Sequence, residues 1–324
     1  MKIYGTGVLF SGTASLVISR SELAILDKHY QNVVQNIQKL HRNTPRCVTF
    51  LLAGCLPGEA ILHLKQMALF RMICYLPGNP LHTYASKFLS TALPNGKSWF
   101  SQIVQICLKY SLQHPHQLLI NPPTKAIFKN YVKKAIVQYW EIVLRDEASV
   151  LDSLKFFHPI NYSLERTHPI WTSVGNNPYE CHKAVVLARM VSGRYRSEKL
   201  MRHWSKSNLH GYCLFKTCTG AVGSLEHILI SCKALQEIRK KMISLYITKT
   251  SLLIPLQWFT ISVFKSSPEV QLQFILDPLA FNEVKGLANT YGPTVCSILS
   301  YCSRTFAYCL HKEKTKLMEE QCLS

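Results

Sequence analysis

Acidic side chains are scarce in this chain. Its 324 residues carry 18 Asp and Glu against 37 Lys and Arg, and no two aspartates are adjacent. Two-metal phosphoryl transfer needs clustered carboxylates to hold its ions, so that chemistry has little to draw on here. The nearest acidic pair, Asp146-Glu147, falls at a predicted helix end and reads as surface. A dinucleotide-binding GxGxxG turn, a phosphate-cradling P-loop, an HExxH zinc helix and a GxSxG nucleophile turn are missing as well. An active site of the chain's own is therefore not expected. Long apolar runs are also lacking. The apolar stretch 3–18, with Lys2 ahead of it, is only ~16 residues long and is broken by glycines, which is short for a membrane span. No membrane partner is expected. Period-two alternation is confined to that stretch, which reads as one or two short buried strands or as irregular apolar segments.

Positive charge is abundant. The formal net charge is +19, and hydrophobic residues make up 48% of the chain, enough for a substantial core. Such an imbalance favours a polyanionic partner, most simply RNA or DNA. There are 12 cysteines, without the spacing of a small disulfide framework. That favours a reducing compartment, nucleus or cytoplasm, over secretion.

Elsewhere the periodicity is helical, and the fold class expected is mainly α. Ser19 and Glu22 form a capping box before a stripe at Leu23, Leu26, Tyr30, Val33, Ile37 and Leu40. Further helices are predicted over 46–53, 59–75, 81–92, 98–111, 124–147, 178–192, 233–248, 268–276, 278–290 and 294–317. Pro115, Pro122 and Pro123 read as a connection, and the stretch from His158-Pro159 to His168-Pro169 as a loop. The expected division is a helical region at 1–115, a long helix and connecting loop at 116–177, a basic region at 178–250 and a C-terminal helical region at 251–324.

The chemistry concentrates in CLFKTCTGAVGSLEHILISC, 213–232. Cys213, Cys218, His227 and Cys232 follow a C-x4-C-x8-H-x4-C spacing, and three thiolates with one imidazole suit a tetrahedral, structural Zn2+ in a small CCHC knuckle. Ser224 reads as the N-cap of a short helix carrying His227, with Cys232 just past its end. His210 is near enough in sequence to compete as a ligand. The other reading is that these cysteines are small core residues.

Around the cluster, Arg194, Arg196, Lys199, Arg202, Lys216, Arg239 and Lys240 are interleaved with Tyr195 and Trp204. Cations that neutralise phosphates, beside rings that stack on bases, are the equipment of a nucleic-acid surface. An ordinary basic surface over core aromatics is the alternative.

The segment MVSGRYRSEKLMRHWSKSNLHGYCLFKTCTGAVGSLEHILISC, 190–232, resembles the C-terminal zinc-knuckle region of reverse transcriptases from non-LTR (LINE-like) retrotransposons. In that family a basic SGRYR-x-E segment leads into a C-C-H-C cluster and a C-x-A-L helix start, here Cys232-Lys233-Ala234-Leu235. YGTGVLFSG (4–12), ISRSELAILDKHYQ (18–31) and LAGCLPGEAILH (52–63) resemble the region after the polymerase palm, the helical thumb. The palm's Asp-Asp pair has no counterpart. The resemblance implies a fragment that binds RNA or target DNA without polymerising, with an upstream polymerase palm as partner if the reading frame is truncated. A truncated element product without function is an alternative. A zinc-stapled helical scaffold for protein interaction is the other class of reading. Its contact surfaces would be the helix at 20–41 and the aromatic helix at 294–317, with Tyr301, Phe306 and Tyr308.

Overall fold

The computed structural model describes residues 9–94, 96–159, 162–204 and 211–323, without the side chains of Trp204, Cys322 and Leu323. Among these the chain is α-helical, and its one β-like pairing is an isolated bridge. The first helices are α1 (Arg20–Ile37), α2 (Arg46–Ala53), α3 (Gly58–Cys74), α4 (Pro80–Thr91), α5 (Trp99–Lys109), α6 (Pro115–Ile120) and α7 (Lys125–Ser149). They are followed by α8 (Pro169–Thr172), α9 (Pro178–Val191), α10 (Glu198–Trp204), α11 (Gln236–Thr250), α12 (Ile254–Phe264), α13 (Pro268–Leu276), α14 (Asn282–Tyr291) and α15 (Pro293–Leu323). The strands considered for 3–18 fall partly on 1–8, outside the described residues; from there to Ile18 the chain makes turns and a 3-10 turn at Thr13–Ser15.

The chain divides into two compact units, one of Met1–Val34 with Cys55–Asp146 and one of Gln35–Gly54 with Glu147–Ser324. The soft boundary expected at Pro115–Pro123 lies inside the first. Pro115 is no linker residue. It sits at the first position of α6, where its missing N–H costs nothing, and the preceding His114 accepts a hydrogen bond from the His116 N–H. The same device starts α4 at Asn79-Pro80, α8 at His168-Pro169 and α9 at Asn177-Pro178.

In the first unit the capping box forms as expected. Ser19 N–H donates to Glu22 Oε2 (2.8 Å) and Glu22 N–H to Ser19 Oγ (3.3 Å). α7 buries Phe128, Val132, Ile136, Trp140 and Leu144, every fourth residue, and from Ala135 to Asp146 only Gln138, Ile142 and Asp146 are exposed, so its second half is covered on more than one side. Phe10 packs edge-on against Tyr30, with ring centroids 5.6 Å apart.

The stripe expected on α1 is rotated towards its end. Val33 and Ile37 are 39% and 43% exposed, whereas Gln35 and Gln38 are buried. In the second unit Gln35 Nε2 donates to Thr44 O (2.9 Å) and Thr49 Oγ1 (3.2 Å), and Gln38 Nε2 donates to Thr49 O (2.9 Å). α2 ends at Gly54, whose φ of 64° is left-handed. That end is stitched to the loop before α8: Glu165 N–H donates to Gly54 O (2.9 Å) and His168 N–H to Leu52 O (3.2 Å).

The long helix α15 packs on α9 and α11 and organises the rest of this unit. It buries Val295, Leu299, Cys302, Phe306 and Leu310, steps of three and four that keep one stripe inward. Tyr246 of α11, fully buried, shares a 2.7 Å hydrogen bond with Ser303. Phe306 and Tyr308 are therefore core residues, which removes them from the contact surface the scaffold reading required. No single described helix is long and apolar enough to cross a membrane.

Candidate metal centre

The cysteine-rich stretch folds as a hairpin followed by a tight helical turn. Tyr212 and Val222 pair as an antiparallel bridge. Cys213 N–H donates to Ala221 O (2.7 Å), and Gly223 N–H to Gly211 O (3.0 Å). The chain reverses through a 3-10 turn at Lys216–Cys218 and then Gly220, whose φ of 76° is readily adopted only without a Cβ. This reversal places Cys213 and Cys218 together.

Ser224 then caps as expected, its Oγ accepting from His227 N–H (3.1 Å). The next turn is π-helical, His227–Ser231, and Cys232 N–H closes it onto His227 O (2.7 Å). A π turn brings residues i and i+5 to one side, where an α turn would leave them well apart in angle. So His227 and Cys232 meet, with Cys232 just past the helical turn.

The metal-binding atoms of Cys213, Cys218, His227 and Cys232 all lie within 4.8 Å of one another. Cys218 Sγ and Cys232 Sγ are 3.7 Å apart. A tetrahedron with metal–sulfur bonds of about 2.3 Å has sulfur–sulfur edges of about 3.8 Å. His227 Nδ1 is 3.1 Å from Ser231 Oγ, while its buried Nε2 has no hydrogen-bond partner. An imidazole held through one nitrogen with the other unpaired is the arrangement of a metal-ligating histidine.

The electrostatics agree. Burial, aided by Arg239 and Lys314 and opposed by Glu198, holds His227 below its ordinary range, so the ring is neutral and able to coordinate. Burial tends to raise Cys218, but the N–H groups of Ala234 and Lys233 with the Thr217 hydroxyl outweigh it, and its thiol is lowered. Burial and the neighbouring cysteines push Cys232 up to about 12. Burial also raises Cys213. A divalent cation would relieve this crowding by taking the group as thiolates.

Arg239 lies behind the cluster. Its Nε donates to Leu229 O (2.9 Å), and its Nη2 to Cys232 O (2.9 Å) and Ile228 O (3.4 Å). The guanidinium thus satisfies the carbonyls of the π turn and fixes Cys232. Expected on the nucleic-acid surface, Arg239 is half-buried and its guanidinium is engaged with these carbonyls. Tyr195 is also misplaced by that expectation. It is 7% exposed, its ring edge-on to His311 and its hydroxyl 2.9 Å from His311 Nδ1, so little of the ring is open to a base.

The other basic residues are arranged differently. Arg196, Lys199, Arg202, Lys216 and Lys240 are exposed, and Arg194 is half-buried. Lys240 pairs with Glu237 at 3.0 Å. The Trp204 side chain and His210 lie outside the described residues. Lys199 N–H donates to Gly223 O (3.0 Å), which ties α10 to the knuckle. Beside this junction is an open cavity of about 650 Å³, lined by Lys155, Phe156, Lys199, Leu200, Arg202 and Ser224 among others. Lys155 and Phe156 had no sequence signal, because they stand in an irregular stretch with no spacing to mark them.

Compared with known protein families, curated proteins and solved structures, the chain matches none.

Proposed function

We propose that this protein binds RNA or DNA non-catalytically, with a structural zinc ion holding its basic surface in register. The observation that carries the reading is the convergence of Cys213, Cys218, His227 and Cys232, with a buried imidazole nitrogen unpaired, directly against a helix bearing exposed cations. Four protein ligands fill a tetrahedral shell and leave no position for a reactive water, which suits a structural role. Three cysteines and one histidine are soft and borderline donors that favour Zn2+ over Mg2+ or Ca2+. The knuckle grips α10 through Lys199, and α10 presents Lys199 and Arg202 to solvent. The resemblance of 190–232 to the zinc-knuckle region of LINE-like reverse transcriptases points the same way.

The test is fluorescence anisotropy of the zinc-loaded protein with a labelled structured RNA and a labelled single-stranded DNA, over a salt series. Each phosphate neutralised on a single strand contributes a slope of about −0.7 in log K against log salt. Binding with a steep negative slope is expected. Binding that is absent, or indifferent to salt, refutes the reading.

A further inference from the structure

Four arginines of the second unit gather where two distant segments meet. One is the connection after α1, with Lys39, His41 and Arg42. The other is the end of α9 and the turn beyond it, with Arg189, Arg194 and Arg196. The contact is specific: Arg189 donates from both Nε (2.9 Å) and Nη2 (2.7 Å) to the carbonyl of Lys39. Gly193, at φ 65°, then reverses the chain so that Arg194 N–H donates to Arg189 O (3.0 Å). A Cβ at Gly193 would run into the Ser153 carbonyl, so the reversal depends on glycine.

The Arg189–Lys39 contact brings the His41-Arg42 connection beside the end of α9, where the arginine charges bear on the His41 ring. The ring is held below its ordinary range by burial and then by Arg196, Arg42, Arg194 and Arg189, in that order. Burial and the Arg196 charge also lower Arg189. Among the described residues none of the four arginines forms an ion pair. Arg194 Nε is buried with no hydrogen-bond partner. Arg42, Arg189 and Arg196 are exposed and Arg194 is half-buried, so water screens their mutual repulsion in part but no counter-charge relieves it. Their natural complement is a multiply charged oxyanion. Guanidinium groups bind such anions through paired N–H donors in a planar fork, and Arg189, already anchored through two nitrogens, loses little freedom in doing so.

We propose that Arg42, Arg189, Arg194 and Arg196 form an oxyanion site that takes phosphate groups of a nucleic-acid backbone. The choice of nucleic acid as the phosphate's source rests on the function proposed above; the oxyanion chemistry does not. Sequence reading found Arg194 and Arg196 in the basic stretch but could not join them to Arg42, about 150 residues away in the chain.

The experiment uses the full-length, zinc-loaded protein and two probes. The first is inorganic phosphate, followed by NMR of the His41 ring, with chloride at matched ionic strength as control. The second is a labelled single-stranded RNA, followed by anisotropy over a salt series. Phosphate is expected to raise the His41 pKa by cancelling the arginine field, and chloride to leave it where it is. Arg194→Gln with Arg196→Gln should abolish the phosphate response and flatten the RNA salt slope by about 1.4, two phosphates at about 0.7 each. Arg194→Lys with Arg196→Lys, which keeps the charge but not the fork, should weaken the response without abolishing it. Thermal melts establish that the variants fold, and Arg189 is left in place because it anchors Lys39.

No His41 response to phosphate overturns the site even if RNA binds. An unchanged RNA slope in the glutamine variant overturns its role in RNA binding. A phosphate response in a protein that binds no RNA keeps the oxyanion site and overturns the nucleic-acid assignment.

Discussion

Acid should destabilise the first unit through His63, by an amount the hydrogen bonds let one work out. Trp140 Nε1–H donates to Tyr110 Oη at 3.0 Å, because an indole nitrogen can do nothing else. The Tyr110 Oη lies 2.7 Å from His63 Nδ1, and with the indole N–H already on that oxygen the ring nitrogen is the partner left for the hydroxyl's own proton. In that arrangement His63 accepts at Nδ1 and carries its proton on Nε2, which lies 3.9 Å from Glu59 Oε1. Glu59 is already paired with Lys109. A second proton on the ring would have to go to Nδ1, against the Tyr110 hydroxyl. Burial and then the Lys109 charge hold the folded-state pKa down at about 3.

The sign follows from linkage. Above the unfolded-state value of about 6.5, His63 is neutral in both states and costs nothing. As pH falls below about 6.5 the unfolded chain takes up a proton that the folded chain refuses. Stability is then lost at about 1.4 kcal/mol per pH unit, down to about pH 3. At about pH 5 the loss from this one ring is about 2 kcal/mol. His63→Gln keeps an acceptor for Tyr110 and removes the titration. Urea unfolding of both proteins at about pH 7 and about pH 5, followed by tryptophan fluorescence, gives the comparison. Other groups that titrate in this window, such as His168, also held down to about 3 by burial, cancel in the difference. The variant should lose about 2 kcal/mol less than the wild type between the two pH values. An equal loss in both refutes the argument.

Two further outcomes follow from the geometry. Stripping zinc with a chelator should lower the melting temperature of the protein, the loss being about 4 kcal/mol where the free metal had stood at about 1,000 times its Kd. Cys232→Ser should melt near the chelated wild type and be insensitive to chelator, and a variant that still responds fully refutes the ligand set. Gly54→Ala should be more disruptive than Gly78→Ala. Both glycines have positive φ, at 64° and 83°, but a Cβ at Gly54 meets the Arg166 carbonyl whereas one at Gly78 meets nothing within 4 Å. The backbone penalty alone is about 1–2 kcal/mol, so Gly78→Ala should cost about that and Gly54→Ala clearly more in chemical denaturation. Equal costs would contradict the packing of α2 against the 165–168 loop.

Much of the helical pattern was legible because it depends on local signals. The capping box at Ser19 and Glu22, the bounds of α2 and the Pro178 start of α9 all follow from short-range chemistry. Misses came where one local signal admits two structures. X-Pro reads as a break, yet His114-Pro115 and His168-Pro169 are helix starts, because the residue before proline caps and proline supplies a preset φ. α12, with Pro255 at its second position, was not anticipated at all. The inward turn of Gln35 and Gln38 was illegible for a different reason. Their burial is supported by hydrogen bonds to Thr44 and Thr49, and no hydrophobicity pattern encodes a partner. At the cluster, spacing alone named all four candidate ligands. It could not say which cations face outward, nor that Arg239 engages the carbonyls around Cys232 with its guanidinium and that Tyr195 is mostly buried against His311.

The knuckle and the basic helix are mechanically one piece, which bears on what a metal there would accomplish. Glu198, the first residue of α10, is held by a buried ion pair with Lys314 of α15 at 2.8 Å. Its side chain lies where a Cβ on Gly223 would have to go, so Gly223 is what lets the knuckle close on α10. One residue on, Lys199 N–H donates to Gly223 O. The start of α10 is thus fixed from one side by α15 and from the other by the Gly223 segment leading to His227. On the other side of the cluster, Arg239 of α11 grips Cys232 O. α11 and α15 pack on each other without help from the knuckle, through Tyr246 and Ser303 among others. A metal joining Cys213 and Cys218 to His227 and Cys232 would therefore add little to that helical core. What it would fix is the register of Lys199 and Arg202 relative to it. On this reasoning metal loss acts first on the position of the basic helix, and on stability through the local knuckle, whose small buried set of Phe215, Ile228 and Leu229 has little apolar area with which to hold the hairpin closed alone.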